Sequence, residues 1–258
     1  MQASDLALLI DASRSAGKIA LRFWKQDPKV WDKGKNDPVT EADLAVDTHL
    51  KETLLAARPD YGWLSEETPD TTERLTRDRV FVVDPIDGTR AFIDGQDTWA
   101  HSIAVVERGV VVAGAVFLPA RDRLYAAGLG QGATRNGAAI KVSDRTEPTG
   151  ATVLSNKAGF DAKHWRVPPD DMTRKFRPSL AYRLAAAGEG RFDAMLTFRD
   201  AWEWDIAAGT LIASEAGATV TDRNGTALRF NATRPKTPGV LVAPPMLHKA
   251  LLSRRAMA

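Results

Sequence analysis

The stretch "FVVDPIDGTRAF", Phe81 to Phe92, ends a run of apolar strand formers on Asp84, Pro85, Ile86, Asp87, Gly88 and Thr89. Pro85 fixes φ and cannot donate to a ladder, so the chain has to turn, and the turn brings Asp87 back beside Asp84. Two carboxylates about 4 Å apart repel by roughly 4 kcal/mol at an effective dielectric near 20. A divalent cation between them turns that repulsion into attraction, and an all-oxygen donor set suits Mg²⁺ better than zinc. Gly88 has no Cβ and lets a ligand approach the backbone, and the N–H groups of Gly88 and Thr89 can open a helix toward an anion. Metal beside anion suggests phosphate. Read alone, the same six residues also make an Asx-Pro turn with both aspartates in water.

Two further acidic sites bear on the choice. Glu66 and Glu67 follow a short apolar strand in "YGWLSEET". Alternation along a strand sends one glutamate inward and the other to solvent, and a solvated strand end is the plainer alternative. Asp205 in "WEWDIAAG" stands at a helix start among apolar residues. It is either a ligand or a first-turn carboxylate serving backbone donors.

The elements that must position these acids are legible in outline. Ser4 caps a first helix with Leu6, Leu9, Ile10, Ala16, Ala20 and Phe23 on one stripe, ending before Asp27-Pro28. After the polar loop DKGKNDP, Thr40 and Asp43 form a capping pair that opens a second helix to about Ala57, with Leu44, Leu50, Leu54 and Leu55 as its buried face. Strands are expected at Trp63-Leu64 and Val80 to Val83, then an antiparallel meander from Ser102 to Ala127. Beyond Gly150 the pattern alternates: strand Thr152 to Ser155, helix Ser179 to about Ala187, strand Phe192 to Thr197, and a helix from near Trp204 to Gly217. Short strands at Thr219-Val220 and Gly239 to Val242 and a helix from Pro245 follow. The fold class is α/β, with an α+β half over 1–150 carrying most of the acids and an α/β half over 151–258 carrying Asp205.

The bulk numbers exclude several alternatives. With 35 basic against 33 acidic residues among 258, the formal charge of +2 offers no global field for a nucleic-acid polymer or a membrane surface. No cysteine is present, which excludes disulfides, thiolate nucleophiles and Cys-ligated zinc and is compatible with a reducing compartment. Asp5, Asp11 and Arg14 interrupt the apolar residues at the N-terminus, so neither a signal peptide nor a span is expected, and the protein is read as soluble and cytoplasmic. His49, His101, His164 and His248 lack the spacing of a metal site or triad and are read as structural. The glycines of "GLGQGATRNG" are read as a turn rather than a phosphate loop, and the Arg174 to Arg177 stretch as a solvated face. Trp204 is read as core more than substrate mouth. Arg90 reaches either a second substrate phosphate or a nearby carboxylate.

LSEE, DPIDGT and WDIAAG, in that order, with DPVTEAD upstream, resemble the inositol monophosphatase family of Mg²⁺-dependent, lithium-sensitive phosphatases, over nearly the whole chain. The resemblance implies a layered αβαβα fold. It implies that Glu66, Asp84 and the carbonyl of Ile86 hold one Mg²⁺, that Asp84, Asp87 and Asp205 hold a second, and that a third, weaker ion shares Glu66. It implies that Asp43 pairs with the Thr89 hydroxyl and that both, with Glu66, orient the attacking water, while Gly88 and Thr89 hold the phosphate. The partner is then a small phosphate ester, with a homodimer left open.

For the substrate, LSEE and a basic residue after DPIDGT resemble the 3'(2'),5'-bisphosphate nucleotidases, and that substrate is the expectation. Inositol monophosphatases and histidinol-phosphatases are the alternatives, and a non-catalytic phosphate-binding or regulatory module is the alternative of another class. Two positions depart from the inositol-specific pattern: Phe198 stands where a glutamate seven residues before the WD aspartate grips inositol, and Arg177-Pro178-Ser179 stands where relatives commonly have Gly-Ser.

Overall fold

A computed structural model describes residues 4–34 and 37–256. Lys35 and Asn36 of the DKGKNDP loop and the residues before Ser4 lie outside that range. Helix α1 (Asp5–Phe23) starts on Ser4, whose Oγ accepts from the Ala7 amide at 3.2 Å. Its stripe buries Leu9, Ala16 and Ala20 fully, with Leu6, Ile10 and Phe23 packed at the margin.

The residues on either side of Lys35 and Asn36 pair as a hairpin, β1 (Val30–Asp32) antiparallel with β2 (Pro38–Thr40). Every residue of β1 is exposed, so no apolar alternation announced it. Thr40 ends the hairpin and caps α2 (Glu41–Ala57) through a reciprocal capping box with Asp43. Leu50 and Leu54 are buried as expected, but Leu44 is 43% exposed and Val46 takes the inward place. Val46 lies one turn before Leu50 on the same face, whereas six residues of helix put Leu44 on the far side.

Seven strands form the first sheet in sequential order: β3 (Gly62–Ser65), β4 (Arg79–Asp87), β5 (Ala100–Glu107), β6 (Val110–Leu118), β7 (Arg123–Gly128), β8 (Ala133–Arg135) and β9 (Ala138–Ala139). Only β3 and β4 run parallel; the rest is the meander, and Arg108-Gly109, both at positive φ, makes its β5–β6 turn. Between β4 and β5 lies the short helix α3 (Thr89–Ile93).

The second sheet draws on β10 (Thr152–Leu154), β11 (Thr173–Lys175) and β12 (Ala194–Thr197), with helix α4 (Leu180–Gly188) before β12. A small ladder follows, β13 (Ala201–Trp202) with β15 (Lys236–Thr237), flanking α5 (Glu203–Glu215). Strands β14 (Thr219–Thr221) and β16 (Val240–Ala243) complete the sheet in the order β11-β10-β12-β16-β14, and α6 (Pro245–Arg254) ends the chain.

The layers follow from the faces. Helices α1 and α2 cover one face of the seven-stranded sheet in a core built from Leu9, Val46, Leu50, Phe81 and Ile103. Helices α4 and α5 fill the space between the two sheets, where Leu184, Ile206 and Ile212 share a core with Val82, Val116, Met195 and Val242. Leu247 and Leu251 of α6 close the outer face of the second sheet. The result is an αβαβα sandwich. Gly114 lets α5 approach β6, since a Cβ there would sit 3.0 Å from the Ala208 backbone.

Candidate metal centre

The end of β4 is where the acids meet. Asp84 pairs with Ser102 and Asp87 with Ala100, so Pro85 and Ile86 together face the single residue His101 across the ladder. This is a β-bulge, the natural consequence of a proline that cannot donate, and it turns the chain toward Thr89. Beside it, β3 stops at Ser65, and the Glu66 amide donates to the Val83 carbonyl at 3.2 Å, which sets Glu66 next to Asp84. From the other layer, the Ser102 hydroxyl donates to the Trp204 carbonyl at 2.8 Å and pins the first turn of α5, with Asp205 in it, against the same spot.

Glu66, Asp84 and Asp205 each offer a carboxylate oxygen within 4.8 Å of the others. Asp84 is 1% exposed and its Oδ1 has no hydrogen-bond partner. Burial first, then the charges of Glu66, Asp87 and Asp205, pushes Asp84 well above the usual carboxylate range. Asp205 is raised by burial and by Asp87 and Glu66. Buried acids that repel each other and keep a naked oxygen fit a hard divalent cation.

Asp87 takes a different posture. Its Oδ2 accepts from Ser179 Oγ at 2.7 Å and from the Ala181 amide at 2.6 Å, at the start of α4. Burial still raises it, and these donors work the other way. Gly88, at φ +96°, lets the chain turn immediately into α3. Thr89 Oγ1 lies 3.3 Å from Asp43 Oδ1 and 3.1 Å from the Ile86 carbonyl. Asp43, 1% exposed, is raised to about 6, by burial foremost and against its hydrogen bonds to Thr40.

The two glutamates do not separate to opposite sides. Lys33, from the hairpin tip, places Nζ 2.9 Å from Glu66 and 2.8 Å from Glu67, and the Glu67 side chain is the more buried of the two, 3% exposed against 22%. Strand alternation fails here because β3 has already ended at Ser65. Burial raises Glu67 to about 7 against its hydrogen bond to Lys33. For Lys33 burial opposes the charge, and Glu66 and Glu67 together outweigh it and raise its pKa. Asp47 steadies this turn by accepting from Ser65 and Thr68 hydroxyls at 2.5 and 2.6 Å.

A cleft of about 410 Å³ joins Lys33, Glu66, Asp84, Asp87, Thr89 and Asp205, with Trp202 and Trp204 as one wall. The two indoles stack at 4.5 Å, Trp204 buried and Trp202 38% exposed, and Lys236 lies 3.7 Å over the Trp202 ring. A groove of about 500 Å³ continues from Asp87, Gly88 and Thr89 past Arg90, Gln96, Phe176 and Pro178. Arg90 is exposed on α3 in that groove.

His49 meets Ser15 and His248 meets Thr221, both away from the acids, and His164 packs on Phe198. His101 is fully buried against the Pro85 carbonyl, and burial lowers it to about 4. The glycine-rich turn is occupied by the protein itself: Gly130 and Gly132 amides both donate to Glu215 at 2.8 Å. Lys33 and Ser179 were not read as site residues, because each earns its place only through a contact with a distant segment.

The family model described as the inositol monophosphatase family matches residues 1–257. An inositol-1-monophosphatase of Rhizobium meliloti (strain 1021) is 35% identical over 230 residues, covering 85% of this chain and 86% of the relative. A histidinol-phosphatase of Chlorobaculum parvum is 30% identical, covering 86% of each. The solved IMPase of Thermotoga maritima superposes with a TM-score of 0.83 at 29% identity, covering 96% of this chain and 95% of that one. This chain belongs to the inositol monophosphatase family. It is a phosphoric monoester hydrolase, and its acidic cluster suits the metal dependence of that class. Among the described residues no helix is long and apolar enough to cross a membrane.

Proposed function

We propose that the protein is a Mg²⁺-dependent phosphatase that hydrolyses a small phosphomonoester carrying a second anionic group, a 3'(2'),5'-bisphosphate nucleotide being the best-fitting substrate. The convergence of Glu66, Asp84 and Asp205, with the bare Asp84 oxygen at its centre, carries the reaction class. Glu66, Asp84 and the Ile86 carbonyl would hold one ion and Asp84, Asp87 and Asp205 a second, with Glu66 shared by a weaker third. When bound, such ions neutralise a phosphate dianion and lower the pKa of a water.

The chain's own residues have distinct tasks in this reading. Thr89, held between Asp43 and the Ile86 carbonyl, orients the attacking water together with Glu66. Asp43, raised to about 6, is a carboxylate poised to take a proton near neutral pH. Gly88 and Thr89 border both the cleft and the groove, where the phosphate of the ester would lie across them.

Two observations favour a second anion over an inositol ring. Phe198 is 5% exposed and packs on Trp165 in the core of the second sheet, so the position seven residues before Asp205 offers inositol hydroxyls no carboxylate. Arg90 lies in the groove that leaves the acidic cleft, with Phe176 as an apolar surface beside it. The test is turnover of 3'-phosphoadenosine 5'-phosphate, inositol 1-phosphate, histidinol phosphate and fructose 1,6-bisphosphate at one Mg²⁺ concentration. A preference of about a hundredfold in kcat/KM for the nucleotide, worth about 2.7 kcal/mol, supports the reading. A preference for inositol 1-phosphate or histidinol phosphate replaces it with those activities, and no phosphate release from any of the four leaves a phosphate-binding module.

A further inference from the structure

The bulge that shapes the metal centre leaves a problem of its own. Two residues, Pro85 and Ile86, face one, and a bulge strips regular partners from the backbone groups inside it. Buried carbonyls without partners are costly, and the whole segment is buried. The Ile86 carbonyl accepts from Thr89 Oγ1, so it is oriented toward the centre. The Pro85 carbonyl has to be satisfied elsewhere, and the group that reaches it is Nδ1 of His101, the residue directly opposite the bulge.

That contact determines the tautomer. A carbonyl oxygen has no proton to give, so Nδ1 is the donor. His101 is 0% exposed, with Trp99 edge-on at 5.6 Å and Phe117 at 6.3 Å, and Nε2 has no hydrogen-bond partner. A proton on Nε2 would leave a buried donor unpaired and the Pro85 carbonyl unpaired as well, two penalties at once. An apolar wall thus selects the neutral ring with its proton on Nδ1.

We infer that His101 is a positioning residue for the metal centre: its Nδ1–H holds the Pro85 carbonyl on the helix α1/α2 side of the sheet, and by fixing that peptide it keeps the Ile86 carbonyl and the Asp87 carboxylate turned into the cleft. It touches neither substrate nor reacting atoms and acts only through Pro85. The aromatic chain continues from Trp99 to Phe92 of α3, ring centroids 4.9 Å apart, so the same packing also seats the short helix that carries Thr89. The role in catalysis rests on the proposed phosphatase reading, while the effect on metal binding does not.

The experiment compares three variants of the full chain. In His101→Asn the amide nitrogen occupies the place of Nδ1 and restores the donor, in His101→Gln the amide is carried one bond further, and in His101→Leu no donor remains. Mn²⁺ binding, read from the free-ion paramagnetic resonance signal without substrate, is expected to weaken about tenfold in His101→Gln and His101→Leu and to stay within about twofold of wild type in His101→Asn, in keeping with the usual effect of outer-shell partners. Equal weakening in Asn and Gln variants, or none in any, overturns the inference. An imidazole nitrogen spectrum of the unaltered protein decides the matter even where a variant fails to fold: a proton on Nδ1 is required, and a proton on Nε2 overturns it. The expected Mn²⁺ pattern without turnover of any phosphate ester would leave the inference standing and remove the proposed function.

Discussion

Lys33 Nζ stands 2.9 Å from Glu66 Oε1, a cation held against a carboxylate that also belongs to the cluster with Asp84 and Asp205. The lysine comes from a hairpin tip and the glutamate from the end of a strand, and no contact within either element requires them to meet. This pairing means that Glu66 already has a positive partner, with which a divalent ion must compete.

Replacing that partner should therefore ease metal binding. Lys33→Met removes one charge while keeping most of the side-chain volume, and the Mg²⁺ concentration for half-maximal phosphate release is expected to fall about two- to fivefold, the modest size reflecting a partly exposed pair. A higher Mg²⁺ requirement in the variant would mean that Lys33 supports the site instead.

Asp84 is the buried centre of the acidic set, so neutralising it should have opposite effects on activity and stability. In Asp84→Asn, Mg²⁺-dependent turnover is expected to drop by at least about a thousandfold, about 4 kcal/mol of transition-state stabilisation. With metal removed by chelator, the same variant is expected to be more stable by about 1 kcal/mol, because a buried carboxyl whose ionisation is opposed by desolvation and by Glu66, Asp87, Asp205 and Asp43 is gone. Urea unfolding of both proteins in chelator measures the second effect, and a less stable variant would contradict it.

The metal-free protein should lose stability as pH rises. Burial raises Asp43 to about 6 and Glu67 to about 7 in the fold, above the ordinary carboxylate range of the unfolded chain, so across that interval the native state binds more protons than the unfolded chain. Stability is therefore greatest below about pH 4 and falls as pH rises through the folded-state values of these two groups, and Asp84 and Asp205, also raised, extend the fall in the same direction. Denaturant midpoints in chelator at pH 5 and pH 8 check this, with the lower value expected at pH 8. Saturating Mg²⁺ should reverse the order by binding the ionised cluster.

Arg90 separates the substrate readings. If it meets a second phosphate, Arg90→Ala should cut kcat/KM for 3'-phosphoadenosine 5'-phosphate by about ten- to a hundredfold, in line with a charge-assisted hydrogen bond, and change inositol 1-phosphate by less than about twofold. Equal losses on both esters would show that Arg90 acts on the common phosphate or on the fold.

Much of this protein is local, and what is local was legible. Ser4 and Thr40 cap their helices by reaching three residues along the chain, the meander declares itself through two apolar strands and a turn at Arg108-Gly109, and Pro85 ends ladder pairing because it has no N–H. The motifs around Glu66, Asp84 and Asp205 pointed to the acids that the fold brings together. Leu44 marks the limit of that reading: an apolar residue in an amphipathic helix does not say which of two neighbouring stripes faces inward.

Tertiary packing decided the rest. The amino-acid sequence alone determined the kinds of acidic side chain, their order and the elements that bear them, because capping, strand termination and turn chemistry act within a few residues. That Lys33 meets Glu66, that Asp87 turns one oxygen to Ser179 and Ala181, and that His101 supports Pro85 depend on segments 16 to 94 residues apart being pressed together by shared apolar cores. Burial in those cores sets both the distances between charges and the cost of leaving a polar atom unpaired, and neither quantity exists until the layers close.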